Sequence, residues 1–195
     1  NIKIVAVSDS SFHRTMPQVA KSYAIPTKLV LEMDLYRFGF HGISMAGIVH
    51  NLTRRPNGIE NRMIVCHLGS GASVTALLGG KSLDTSMGYS PLEGLVMSSR
   101  VGNIDAGAVL YLAETQEINK LQKLFYSESG LVALSGLSGD MRILLDAEKD
   151  GHAGAHMAIE AFIYNVRKYI GAYAAVLGGV DAVVFSGTIG ERSAV

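Results

Sequence analysis

The sequence predicts an α/β fold with a mixed sheet and flanking helices. Three observations carry that prediction. Short apolar, branched runs recur between glycines, two such runs flank Gly79-Gly80, and a long helical repeat leads directly into Ala182-Val183-Val184-Phe185. A tight hairpin pairs strands antiparallel, whereas a helix feeding a buried strand makes a crossover, so both directions are expected in one sheet.

The elements follow in chain order. Ile2 to Ser8 and Met63 to Leu68 have the length and branched content of buried strands, although periodicity alone also allows short helices there. A helix is expected from about Thr15 to Tyr23. Ala72 to Leu78 and Lys81 to Ser86 surround Gly79-Gly80, a two-residue connection that supplies the positive φ angles of a tight hairpin turn. A further helix is expected from about Ala106 to Phe125. From Gly154 onward Ala158, Phe162, Val166, Tyr169, Ile170, Tyr173 and Leu177 recur at helical spacing, and Gly178-Gly179 gives the stop before the last strand.

A chain of 195 residues is long enough for one good-sized domain with a real core. With 48% hydrophobic and 17% charged residues and net charge zero, it has no broad electrostatic reason to bind nucleic acid or an anionic membrane. A small ligand is expected. Cys66 is the single cysteine, which excludes an internal disulfide, implies a reducing compartment and places the thiol in a strand core. No apolar run approaches the roughly 18 to 20 residues of a spanning helix, and no signal-peptide order opens the chain, so a soluble, cytoplasmic protein is expected. The chain opens inside an apparent strand without Met and stops just after a turn, so both ends are expected to be cut.

The stretch Cys66-His67-Leu68-Gly69-Ser70-Gly71-Ala72-Ser73 places an almost bare turn between two strands. Successive backbone amides in such a turn form an anion-binding concavity, to which Ser70 and Ser73 add hydroxyl donors. A plain tight hairpin accounts for the same residues. A second strand-then-glycine turn, Ser186-Gly187-Thr188-Ile189-Gly190, suggests a ligand held at two ends, with Ile189 against a flat base. Asp140 and Arg142 offer a carboxylate beside a guanidinium, and Asp140 serves equally as a helix cap. Asp9 follows the first strand, where a carboxylate can hold Mg²⁺ or cap a turn. His41, framed by glycines and Phe40, is a catalytic or a structural histidine. Arg100 either binds a transferring phosphoryl group or pairs with Asp105 or Glu93.

Together "SDSSFHRTMP", "RFGFHGIS", "HLGSGASVTALLGGKSLDTSMGYSPLEGL", "SGLSGDMR" and "YNVRKYIGAYAAVLGGVDAVVFSGTIGE" resemble, in order, the acetate and propionate kinases, of the acetate and sugar kinase, actin and chaperone ATPase superfamily. The resemblance implies a ribonuclease H-like, actin-like ATPase fold, in which residues 1–12 are the last strand and hinge of a first domain and 13–195 a second, nucleotide-binding domain. It implies phosphoryl transfer between ATP and acetate, or propionate, giving acyl phosphate and ADP, with Mg²⁺ or Mn²⁺ as cofactor. Carried over by position, it makes Asp9 the metal-associated carboxylate, and makes His41 and Arg100 the groups that steady the phosphoryl. His67, Gly69, Ser70 and Gly71 become the phosphate turn. Asp140, Met141, Arg142, Gly187, Thr188, Ile189 and Gly190 become the adenosine site, while Phe40 and Pro91 become part of the pocket for the acid's methyl end.

Several positions depart from the family pattern, among them Asn103 and Ala106, which stand for an Asp and a Pro, and Ser8 and Arg192, which stand for a Phe and an Asn. Ser70 stands for an Asn, Met45 for a second His, and Thr188 for a Gly, where a β-branched side chain is expected to crowd the base or change the turn. Family members are about twice as long, so the isolated chain is expected to bind nucleotide without completing the reaction. Homodimerisation through this half is also implied, with the helix from about Gly154 as one surface. The alternatives are a degenerate nucleotide-binding or regulatory module and a dimerisation domain without catalysis.

Overall fold

The computed structural model describes residues 2–193. After a 3-10 turn at Ser11–Thr15 come helices α1 (Gln18–Lys21), α2 (Thr27–Met33) and α3 (Gly42–Thr53), then strands β1 (Arg62–Leu68), β2 (Ala72–Leu78) and β3 (Lys81–Thr85). Helices α4 (Ala106–Thr115), α5 (Ile118–Ser127), α6 (Gly130–Ser135), α7 (Met141–Lys149) and α8 (Ala153–Leu177) precede strand β4 (Ala182–Ser186) and helix α9 (Gly187–Arg192). The sheet order is β3-β2-β1-β4, with β1 antiparallel to β2 and parallel to β4. This is the mixed sheet that the hairpin and the crossover predicted.

Alternation along β1 divides the core. Ile64, Cys66 and Leu68 face α8, whose buried stripe includes Ala158, Phe162, Val166 and Tyr173. Met63 and Val65 point the other way and, with Leu77, pack on Met45 of α3. His67 follows them on that second face, and the register sets it against Ser73 of β2 and Ser186 of β4. Met45 is fully buried there, so an apolar side chain fits its surroundings. Cys66 is buried in β1 as expected, and burial pushes its thiol up to about 12. The hairpin turn has φ values of 55° at Gly79 and 76° at Gly80, and Gly178 ends α8 in the left-handed conformation.

Three expected elements differ. Residues 2–8 form no strand among the described residues, and Ile2 and Ile4 are each 93% exposed. Branched residues favour a strand only where a neighbour supplies hydrogen bonds and a face to bury, and no described strand pairs with this run. The stretch expected as one helix from Thr15 to Tyr23 is a 3-10 turn and a short helix, because Pro17 forces Met16 into an extended conformation. The expected Ala106–Phe125 helix breaks at Gln116, whose backbone is extended. Leu112 is half-buried and Leu121 is buried. At about 3.6 residues per turn they would lie on opposite faces of a continuous helix, so two helices bury what one could not.

No helix among the described residues is long and apolar enough to cross a membrane.

Candidate active site

The site begins at the entry to α3. His41 sits at the N-cap in the left-handed conformation (φ 60°), and its own side chain does not cap the helix. Asp9 does so from far away in sequence. The His41 N–H donates to Asp9 Oδ2 (2.7 Å) and the Ile43 N–H to Oδ1 (3.1 Å), while the Gly42 N–H donates to the Asp9 carbonyl (2.9 Å). Thus Asp9 follows no described strand and caps α3 instead of its own following turn. Nearby, the buried His13 bridges the Ser82 hydroxyl and the Phe40 carbonyl, each at 2.9 Å, which fixes the chain one residue before His41.

The two histidine rings of the site lie against each other at a tilt of 39°, with centroids 4.5 Å apart. His41 Nδ1 lies 2.9 Å from the Ser73 hydroxyl, while His67 Nδ1 lies 3.0 Å from Ser44 and 3.2 Å from Ser186. Burial, with His67 and Arg100 nearby, pushes His41 down to about 4 against partial opposition from Asp9. Burial also lowers His67 and His13 below the ordinary imidazole value. At neutral pH these rings are uncharged hydrogen-bonding groups.

Arg100 completes this end. A methyl group on Gly71 would stand 3.2 Å from His41 Nε2 and 3.6 Å from Arg100 Nη1, so the two nitrogens converge over a residue with no side chain. Arg100 donates to the Pro91 carbonyl (3.4 Å) and pairs with neither proposed acid: Glu93 holds Arg37, and Asp105 caps α4. The turn is partly self-closed, since the Gly69 N–H donates to the Gly71 carbonyl and the Ser98 N–H to the Ser70 carbonyl. Among the described residues the amides of Ser70 and Gly71 have no backbone acceptor. The Ser73 hydroxyl, expected as a ligand donor, is turned to His41 instead.

The other end is an open cavity of about 730 Å³. It brings together Ser70, Asp140, Met141, Arg142, Thr188 and Ile189. Asp140 both caps α7 through the Arg142 N–H and pairs with the Arg142 guanidinium, which holds its carboxyl at about 2. The expected second glycine turn is the first turn of α9: Gly187 opens it at φ 78°, and Gly190 lies within it. Thr188 lines the cavity from that helix. Phe40 and Pro91 do not line this cavity. Sequence reasoning missed Ser98, Asp146, Lys149 and Arg192, all of which do. The signal for two of them was present, because Asp146 and Lys149 follow Arg142 at four and seven residues, on one helical face.

Among the described residues no cluster of three or more His, Cys, Asp or Glu is placed to hold a metal. Asp9 is a single carboxylate whose oxygens each accept one N–H and keep a lone pair. That suits a Mg²⁺ ion bound by one protein carboxylate together with ligand phosphates.

The model of the Acetokinase family matches residues 1–195. The chain belongs to the acetokinase family. It is 45% identical to the acetate kinase of Acetivibrio thermocellus, aligned over 100% of this chain and 50% of that one. Solved structures give the same grouping. The propionate kinase of Francisella tularensis subsp. tularensis SCHU S4 superposes with a TM-score of 0.90 at 36% identity, covering 95% of this chain and 48% of that one. Porphyromonas gingivalis acetate kinase superposes with a TM-score of 0.85 at 38% identity, covering 94% and 47%. The chain thus spans about half the length of the relatives it matches, and it has the predicted ribonuclease H-like arrangement of an acetokinase.

Proposed function

We propose that this chain supplies the nucleotide-binding and phosphoryl-stabilising half of an enzyme that transfers a phosphoryl group between ATP and a short carboxylate, acetate before propionate. The observation that carries the reading is the convergence of His41 Nε2 and Arg100 Nη1 over Gly71, beside a cavity that Ser70 also lines. An anion set over Gly71 meets a guanidinium and an imidazole, and a nucleoside fits the adjoining space between α7 and α9.

In the reaction a carboxylate oxygen forms a bond to the γ-phosphorus as the bond to the β–γ bridging oxygen breaks, and ADP leaves with that electron pair. The carboxylate is already ionised, so no general base is required, and the work lies in alignment and charge neutralisation. Arg100 and His41 hold the transferred group. Gly69, Ser70, Gly71 and His67 border the phosphates, and Asp140, Met141, Arg142, Gly187, Thr188, Ile189 and Gly190 border the adenosine. Phe40 and Pro91 lie toward the acid. Asp9 would hold Mg²⁺ or Mn²⁺, which when bound neutralises phosphate charge.

The reading extends to organisation. Residues 13–195 act as the nucleotide-binding unit and 1–12 as a strand and hinge of another domain, supported by the exposed, unpaired Ile2 and Ile4. The complete protein works as a cytoplasmic homodimer; the reduced, buried Cys66 and the exposed apolar Leu110 and Tyr111 of α4 support this. Calorimetric titration of the folded chain with MgADP tests the central reading. One-to-one binding is expected, and a folded chain that gives no binding heat would overturn it.

A further inference from the structure

The ring of His41 has two neutral forms, and only one presents an N–H to the space above Gly71. The choice is made at Nδ1, 2.9 Å from the hydroxyl of Ser73, a residue of β2 with 0% exposure. We propose that the Ser73 hydroxyl donates to His41 Nδ1 and thereby locks the ring as the Nε2–H tautomer, which makes Ser73 the positioning residue for the ring's donor face.

The argument is one of proton accounting. In the opposite tautomer Nδ1–H donates to Ser73 Oγ, and the hydroxyl proton of Ser73 then needs an acceptor of its own. Among the described residues Ser73 Oγ has no other hydrogen-bond partner, so that proton would be buried and unsatisfied. A buried donor without an acceptor is costly, whereas an oxygen lone pair left unused costs less. No other group settles the ring differently. The His67 ring lies against it at a tilt of 39° and bonds through Nδ1 to Ser44 and Ser186, Asp9 accepts from the backbone of residues 41 and 43, and Arg100 Nη1 is directed to the Pro91 carbonyl and the Met97 sulfur. With Nε2 carrying the proton, the ring aims a donor at the position over Gly71, and the Arg100 guanidinium beside it adds positive charge, which suits an anion and repels a cation.

The use of that donor on a phosphoryl group rests on the function proposed above, but the tautomer itself does not. The test is therefore spectroscopic. The 195-residue chain is labelled with ¹⁵N-histidine, and long-range ¹H–¹⁵N correlations are recorded at neutral pH, with the His41 signals assigned by their absence in His41→Gln. A pyridine-type Nδ1 and pyrrole-type Nε2 are expected. Ser73→Ala should cut the preference for this tautomer by about tenfold, and Ser73→Thr, which keeps a hydroxyl, should restore it. A pyrrole-type Nδ1 in the unsubstituted chain would overturn the proposal even if the alanine variant does not fold, as would an unchanged tautomer ratio in a folded Ser73→Ala chain. Titration with MgADP or inorganic phosphate reads the phosphoryl role separately.

Discussion

The two ends of the cleft are built in opposite ways. Around His41 most side-chain polar groups are held by another: Ser73 and Ser186 come from strands, Asp9 caps α3 from a remote turn, and the rings are shifted mainly by burial. Around Arg142 the charges pair in water along the rim, with the Arg142 side chain 87% exposed and Lys149 74% exposed. Buried groups on strands are fixed before a ligand arrives, whereas exposed ion pairs contribute little to stability and adjust to what binds. Substitutions at the first end should therefore cost folding and binding together. At the second they should cost binding alone.

The largest test of that contrast is acid. His41, His13 and His67 all have folded values below the unfolded 6.5. The unfolded chain therefore takes up protons first, so their stabilisation is complete above 6.5 and is lost as pH falls, for His41 toward about 4. For His41 the upper limit is about 3 kcal/mol, reduced by solvent screening at its open side. Urea midpoints should drop between pH 7 and pH 5, and His41→Gln should flatten the drop. A flat profile in the parent chain would break the contrast.

Next comes Asp9→Ala, which strips two caps from α3 and leaves the left-handed His41 unsupported. A loss of about 2 kcal/mol in urea melts is expected, together with weaker MgADP binding. Arg100→Ala should weaken MgATP binding by about tenfold or more in calorimetry, since it removes a charged donor to the transferred group. The smallest effect belongs to Arg142→Ala: stability within about 0.5 kcal/mol of the parent, and binding reduced by only a fewfold. If Arg142→Ala destabilised the fold as much as Asp9→Ala, the two ends would not differ as described.

Most of the site was legible as types of residue in short motifs, and much less as contacts. Asp9, His41, Gly71 and Arg100 each stood out locally, yet Asp9 was expected beside its own strand and Ser73 beside a ligand. Asp105 and Glu93, the acids nearest Arg100 in sequence, turned to other partners. Charge and spacing say what a side chain can do; they do not say which of several partners the packed chain brings within reach.

By itself the sequence determined the local elements and the family. Gly79-Gly80 sets the hairpin because only such residues take its backbone angles without cost, and the repeat from Gly154 sets α8 because its apolar residues share one face. Tertiary structure decided the rest. It placed residues 2–8 outside the sheet, split the expected 106–125 helix, and set His67 between Ser73 and Ser186 through the register of three strands. The reason is that strand pairing and capping across long separations depend on which surfaces meet after collapse. That selection is made by burial over the whole core, not by any window of the chain.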